Sequence, residues 1–153
     1  MNKENKYIAV EGKAADCEAA ISLCGAALRE AGFVREGFAQ ECILREREYP
    51  TGLPTDIPVA IPHCQSGNII KSGMCYLRLA EPVEFHRMDD DEATIFTRHI
   101  FNLVIPGGGD HLDFLQQLMG VLSDPAIMSE LERTPTDEVP ALMARSFSGE
   151  VIA

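Results

Sequence analysis

The chain has 153 residues, 46% of them hydrophobic and 24% charged, with a formal net charge of −11. A chain of this length is expected to form one domain, residues 1–153, with a core large enough to need no disulfide or metal staple. The charge argues against nucleic acid and anionic lipid as partners, because both are polyanions. No apolar run approaches the ~20 residues of a membrane span, so no direct membrane insertion is expected.

The start, "MNKENKY", is polar and lacks the apolar region of a secretory leader. Tyr7-Ile8-Ala9-Val10 predicts a first strand. From about Ala14 to Ala31 the apolar positions Ala20, Leu23, Cys24, Ala27, Leu28 and Ala31 recur at helical spacing, and Gly32 ends the run. A second helix is predicted from Glu36 to Glu48, broken by Pro50 and Gly52. A loop, Thr51 to Pro58, leads to a short strand, Val59 to Ile61. Further strands are predicted at Met74–Leu79 and in "RHIFNLVIP", whose continuous apolar centre marks a buried central strand. "EPVEF" predicts a short edge or hairpin arm, since Pro82 removes a ladder donor. After "GGGD" come three helices: His111 to Leu122, one opened by Asp124-Pro125 and running to about Arg133, and a last short one within "TPTDEVPALMARSF". Helices and strands are interleaved and the central strands are apolar on both sides. The expected fold is α/β, a single mixed β-sheet flanked by helices on both faces.

The five cysteines form an odd set with no C-x-x-C pair, which disfavours a zinc ribbon or a disulfide framework and suits a reducing cytoplasm. Cys17 and Cys24, seven apart on one helix face, read as small core residues. Of the four histidines, His99 lies within an apolar strand pattern, and His86 stands beside the acidic run Asp89-Asp90-Asp91-Glu92. That run lacks the glycine and the alternate spacing of a calcium loop and reads as a solvated turn. His63 has a different frame. Pro62 fixes its own φ and holds Ile61 extended, so the backbone entering His63 is stiff. A stiff backbone lowers the entropy cost of positioning a reacting group. A core histidine, a metal ligand, a general base and a nucleophile all fit that frame. A Cys64/His63 dyad does not, because neighbours in an extended segment point to opposite sides. Gly107-Gly108-Gly109 before a helix start at His111 can form an anion site, or Asp110 can simply cap the helix. Arg45 and Arg47 are the basic residues nearest the loop to His63. They read either as a charged helix end or as a clamp for a phosphoryl group, with the Thr51 hydroxyl as an added donor.

Three segments in order resemble the IIA domain of the fructose/mannitol class of the bacterial sugar phosphotransferase system. They are Arg45-Glu46 followed by Thr51-Gly52, the segment "VAIPHC" from Val59 to Cys64, and "FNLVIPGGGDHLDFLQQLMGVLSD". The likeness runs from about Tyr7 to Phe147, and "YPTGLPT", "AIPHC" and "MDDDE" resemble the galactitol-type branch most. Asp56 and Pro58 depart from the small residue or glycine that the wider family often carries in that loop. The resemblance implies a phosphocarrier enzyme: His63 takes a phosphoryl group from the phosphohistidine of the carrier HPr and hands it to a thiol of a cognate IIB component, which serves a membrane IIC. It implies Arg45, Thr51 and His111 as groups around the phosphoryl group, and no metal, nucleotide or other cofactor. A negative surface would aid encounter with the basic patch that HPr-type partners present. Two other expectations stand beside this one. One is a IIA-like regulatory module that signals its phosphorylation state. The other is a metal-binding or hydrolytic protein using His63, His86, His111 and the acidic run.

Overall fold

The computed structural model describes residues 6–106 and 112–147. The strands are β1 (Tyr7–Gly12), β2 (Gly52–Leu53), β3 (Val59–Ala60), β4 (Gly73–His86) and β5 (Thr94–Val104). The helices are α1 (Cys17–Glu30), α2 (Phe38–Glu48), α3 (Leu112–Leu122), α4 (Pro125–Arg133) and α5 (Val139–Ser146), and a 3-10 turn, Thr136–Glu138, precedes α5. The strands form one sheet in the order β1-β4-β5-β3-β2. β1 runs parallel to β4 and β3 parallel to β5, whereas β4/β5 and β2/β3 are antiparallel. The expected single mixed sheet is therefore what the chain builds.

Strand periodicity sorts the core into two layers. Side chains alternate faces along a strand. Met74 and Tyr76 on β4, with Phe101 and Leu103 on β5, pack under α3, α4 and α5. Their neighbours Cys75, Leu77, Ile100 and Val104 pack under α1 and α2. Both layers bury apolar side chains, which explains why the central strands read as unbroken apolar runs.

Capping chemistry places the helix ends. Asp16 accepts the Ala19 N–H at 2.8 Å, so α1 begins at Cys17 rather than near Ala14. Asp124 accepts the Ala126 and Ile127 N–H groups, and Pro125 stands at the first turn of α4. α2 begins at Phe38 because Gly37 takes φ 102, a left-handed backbone that no residue other than glycine adopts at low cost. α1 and α2 cross closely at Gly25, where an added Cβ would collide with the Cβ of Ala39 and lie 3.2 Å from its Cα. The second contact is backbone and cannot rotate away. Gly25→Val is expected to cost about 1–3 kcal/mol by overpacking. A thermal melt checks this, with a fall of about 2–4 °C for each kcal/mol in a chain of this size.

Two strand boundaries differ from the sequence expectation. β4 does not stop at Leu79. It continues through "EPVEF" to His86 against β5, with a register break between Arg78 and Val83. Arg78 pairs with His99 and Val83 with Thr97, so Leu79 to Pro82 stand opposite Arg98 alone. Pro82 sits in this bulge, where the ladder needs no N–H from it. The second difference is β2, within the segment expected to be pure loop. Gly52 and Leu53 pair with Ala60 and Val59 and form the sheet edge beside the site.

Candidate active site

The site is assembled where β3 leaves the sheet. Ala60 pairs with Ile100 of β5, and the Ile61 N–H donates to the Thr51 carbonyl at 3.3 Å. Pro62 brings no N–H, but its carbonyl accepts two bonds, from the Leu103 N–H at 2.9 Å and from Nδ2 of Asn102 at 3.1 Å. The residue before His63 is thus pinned by β5 as well as by its own ring.

His63 is half-buried, and its Nδ1 lies 2.7 Å from the Ile61 carbonyl oxygen. A carbonyl only accepts, so Nδ1–H is the donor, and the neutral ring carries its lone pair on Nε2. Burial lowers the imidazole pKa below 6.5, the bond to Ile61 opposes that, and the positive charge of Arg45 lowers it further. The ring is therefore held neutral, in one tautomer, with one nitrogen able to attack.

Arg45 lies on the last turn of α2, with its guanidinium 5.2 Å from the centre of the Tyr49 ring. Among the described residues no carboxylate forms an ion pair with it. Arg47 differs, being held by a two-pronged bond to Glu18 of α1 at 2.7 and 2.9 Å. The two arginines that the sequence left equivalent are thus separated: one fixes α2 to α1, and the other carries its charge to His63.

Thr51 is 1% exposed. Its N–H donates to one Glu46 oxygen at 2.8 Å and its hydroxyl to the other, also at 2.8 Å. The hydroxyl expected to serve as a phosphate donor faces Glu46 instead. The Thr51 carbonyl meanwhile holds Ile61, so Thr51 joins the end of α2 to the strand that carries His63. Glu46 is 7% exposed, and burial raises its carboxyl pKa to about 7 against the bonds from Thr51. A carboxyl whose pKa is raised above the unfolded value, 4.5, contributes its full stability below that value and loses it as pH climbs through about 7. Glu46→Gln, which keeps an oxygen for Thr51, is expected to remove that loss. Denaturant titrations across this range should show the two proteins diverging by about 3 kcal/mol, at ~1.4 kcal/mol per pKa unit.

The protein-family model described as "Phosphoenolpyruvate-dependent sugar phosphotransferase system, EIIA 2" matches residues 2–145. The chain belongs to this EIIA 2 family. It is 30% identical over 109 residues to the galactitol-specific EIIA component of Escherichia coli (strain K12), covering 71% of this chain and 72% of that one. Among solved structures it is similar to the mannitol IIA in the Escherichia coli complex of IIA with phosphorylated IIB, with a TM-score of 0.72, 26% identity, and 95% and 97% of the two chains covered. It is also similar to the nitrogen regulatory protein IIA-Ntr of Neisseria meningitidis, with a TM-score of 0.72, 25% identity, and 92% and 94% covered.

The other described histidines of this EIIA chain, His86 and His99, lie elsewhere. His99 is buried in β5, its Nδ1 bonded to the Tyr76 hydroxyl at 2.7 Å and its Nε2 3.5 Å from Glu132. His86 is exposed at the end of β4, with Nδ1 donating to the Asp91 carbonyl at 2.8 Å. The acidic run forms the β4–β5 turn, where Asp89 pairs with Arg87. Among the described residues no group of three or more His, Cys, Asp or Glu side chains is arranged to hold a metal ion, and no helix is long and apolar enough to cross a membrane. His111 and Gly107-Gly108-Gly109 lie outside the described residues.

Asn102 is the pinning residue that sequence reasoning missed. It is fully buried, and its signal was present as a lone amide inside the apolar run "IFNLV". A polar side chain in a strand buried on both faces needs a partner, and Pro62 supplies the acceptor.

Proposed function

We propose that this EIIA chain is a phosphocarrier whose acceptor is Nε2 of His63. The single observation that carries the reading is the Nδ1–H bond to the Ile61 carbonyl, which leaves Nε2 as the nucleophile. The phosphoryl group comes from the phosphohistidine of an HPr-type carrier. A new N–P bond forms at Nε2 as the donor's N–P bond breaks, and the donor imidazole leaves with the electron pair. In the second step a thiolate of the cognate IIB attacks phosphorus, an S–P bond forms, and His63 leaves neutral. The transition state of phosphoryl transfer is loose, so the protein's contribution is position and charge. Arg45 supplies the charge, Pro62 and Asn102 the position, and Thr51 and Glu46 tie α2 to the strand behind the ring. His111 is assigned to the same phosphoryl group by the family resemblance alone.

The relatives favour a transport role. The galactitol-specific relative and the "AIPHC" segment point to galactitol or a related polyol, with a IIB partner and through it a membrane IIC. Such a relay works in the cytoplasm without a metal or nucleotide. A second reading is favoured by the similarity to a nitrogen regulatory IIA: a module that reports its phosphorylation state and passes nothing on. Incubation of the labelled phospho-form with a galactitol-type IIB separates the two. Label moving to the IIB cysteine is the expected result. Label retained on His63 in the presence of active IIB decides for the regulatory reading.

A further inference from the structure

α2 presents Cys42 to the residue that directly follows His63. Cys42 is fully buried and Cys64 is 7% exposed, and their Sγ atoms lie 3.3 Å apart. Closing from there to the ~2.05 Å of a disulfide is a movement of about 1 Å. Asn102 ties the pair to the site. Its Nδ2 donates to the Pro62 carbonyl at 3.1 Å and stands 3.8 Å from the Cys42 sulfur.

We propose that Cys42 and Cys64 form a dithiol modification site, oxidised by hydroperoxides to a reversible disulfide that disables the neighbouring His63. The effect on His63, though not the disulfide itself, rests on the phosphocarrier reading. The Cys64 thiolate attacks a peroxide oxygen, the O–O bond breaks, and the hydroxide released from hydrogen peroxide takes a proton to become water. Cys64 is then a sulfenic acid. Cys42 attacks its sulfur, the S–O bond breaks, and a second water leaves with the thiol proton. Two electrons and two protons pass from the thiols to the peroxide, and a thiol reductant returns them.

The surroundings select these two cysteines. The thiol–thiol bond to Cys42 and, less strongly, the charge of Arg45 lower the Cys64 thiol pKa against burial and the charge of Glu41, while Cys42 itself is raised by the same bond and by burial. Cys17 is pushed up to about 11, chiefly by burial, and so carries little thiolate. Cys24 and Cys75 are both fully buried in the same layer, so neither has an exposed edge for a peroxide to attack. Cys64, 7% exposed beside a fully buried Cys42, is thus the more acidic member and Cys42 its resolving partner. The new bond draws Cys64 toward α2 and shifts the segment on which the Nε2 position depends. A displacement of that size is enough to slow a positioned reaction by about tenfold or more.

The test treats the reduced chain with hydrogen peroxide, blocks free thiols, and maps the digest by mass spectrometry. Phosphoryl uptake is measured before oxidation, after it, and after dithiothreitol. A Cys42–Cys64 linked peptide, an uptake rate reduced by about tenfold or more, and recovery of both on reduction are expected. Cys42→Ala should keep its uptake and lose its peroxide sensitivity. If that variant does not fold by circular dichroism, Cys64→Ala should abolish the linked peptide in its place. A different linked pair, oxidation with no link, or uptake unchanged by the link overturns the proposal. A reduced chain that takes up no phosphoryl group refutes the phosphocarrier reading instead, and the peptide map then decides the disulfide alone.

Discussion

The His63→Ala variant is expected to take up no acid-labile phosphoryl group from phosphorylated HPr, while the intact chain takes up one equivalent. The expectation follows from the tautomer. Nε2 carries the available lone pair because Nδ1–H is bonded to Ile61, and alanine offers no substitute nucleophile. His99 cannot replace it, being buried and bonded on Nδ1 by Tyr76. His63 is half-buried and, among the described residues, its ring bonds only a carbonyl two residues away, so the melt of the variant should stay close to that of the parent. One equivalent of acid-labile phosphate on the alanine variant would move the acceptor elsewhere.

Arg45→Ala should lower the rate of uptake by about a hundredfold to a thousandfold, the usual loss when a charge-stabilising donor is removed from a transition state. It should also shift the pH profile. Only neutral His63 attacks, so uptake falls as pH drops through the imidazole pKa. That pKa is held below 6.5 by burial and by Arg45. Without the arginine it rises, and the acid limb of the profile begins at a higher pH. Arg45→Lys should recover part of the pH shift, because it restores the charge, and less of the rate, because an ammonium lacks the planar fork. Steady uptake measured across the imidazole range tests both. A rate loss with no shift of the acid limb would mean that Arg45 acts on the fold and not on His63. Arg47→Ala is the control, since that side chain is engaged with Glu18.

The sequence by itself determined the periodic elements, because their signals are local. The helical spacing behind Asp16, the Asp124-Pro125 start and the unbroken apolar run before Pro106 each became the expected helix or strand. It also singled out His63, since a proline before a histidine stiffens the backbone wherever it occurs. The α/β class followed from the alternation of those elements. β4 passing through Pro82, and β2 within the loop, were not legible. Both depend on which residues stand across the ladder, and a two-residue edge strand carries no period of its own.

Only the tertiary structure decided the chemistry of the site. The lone pair on Nε2 depends on where the Ile61 carbonyl points, and the rigidity of Pro62 depends on Asn102, 40 residues away. Arg45 and Arg47 are alike in type and two positions apart, yet helix geometry turns one toward Glu18 and leaves the other's charge on His63. Thr51 looked like a phosphate donor until burial set it against Glu46. The thiols of Cys42 and Cys64 met only when α2 packed on the sheet. Composition names the groups that can react; hydrogen-bond partners and distances across the fold decide which atom does, because protonation and orientation are properties of the surroundings of a side chain.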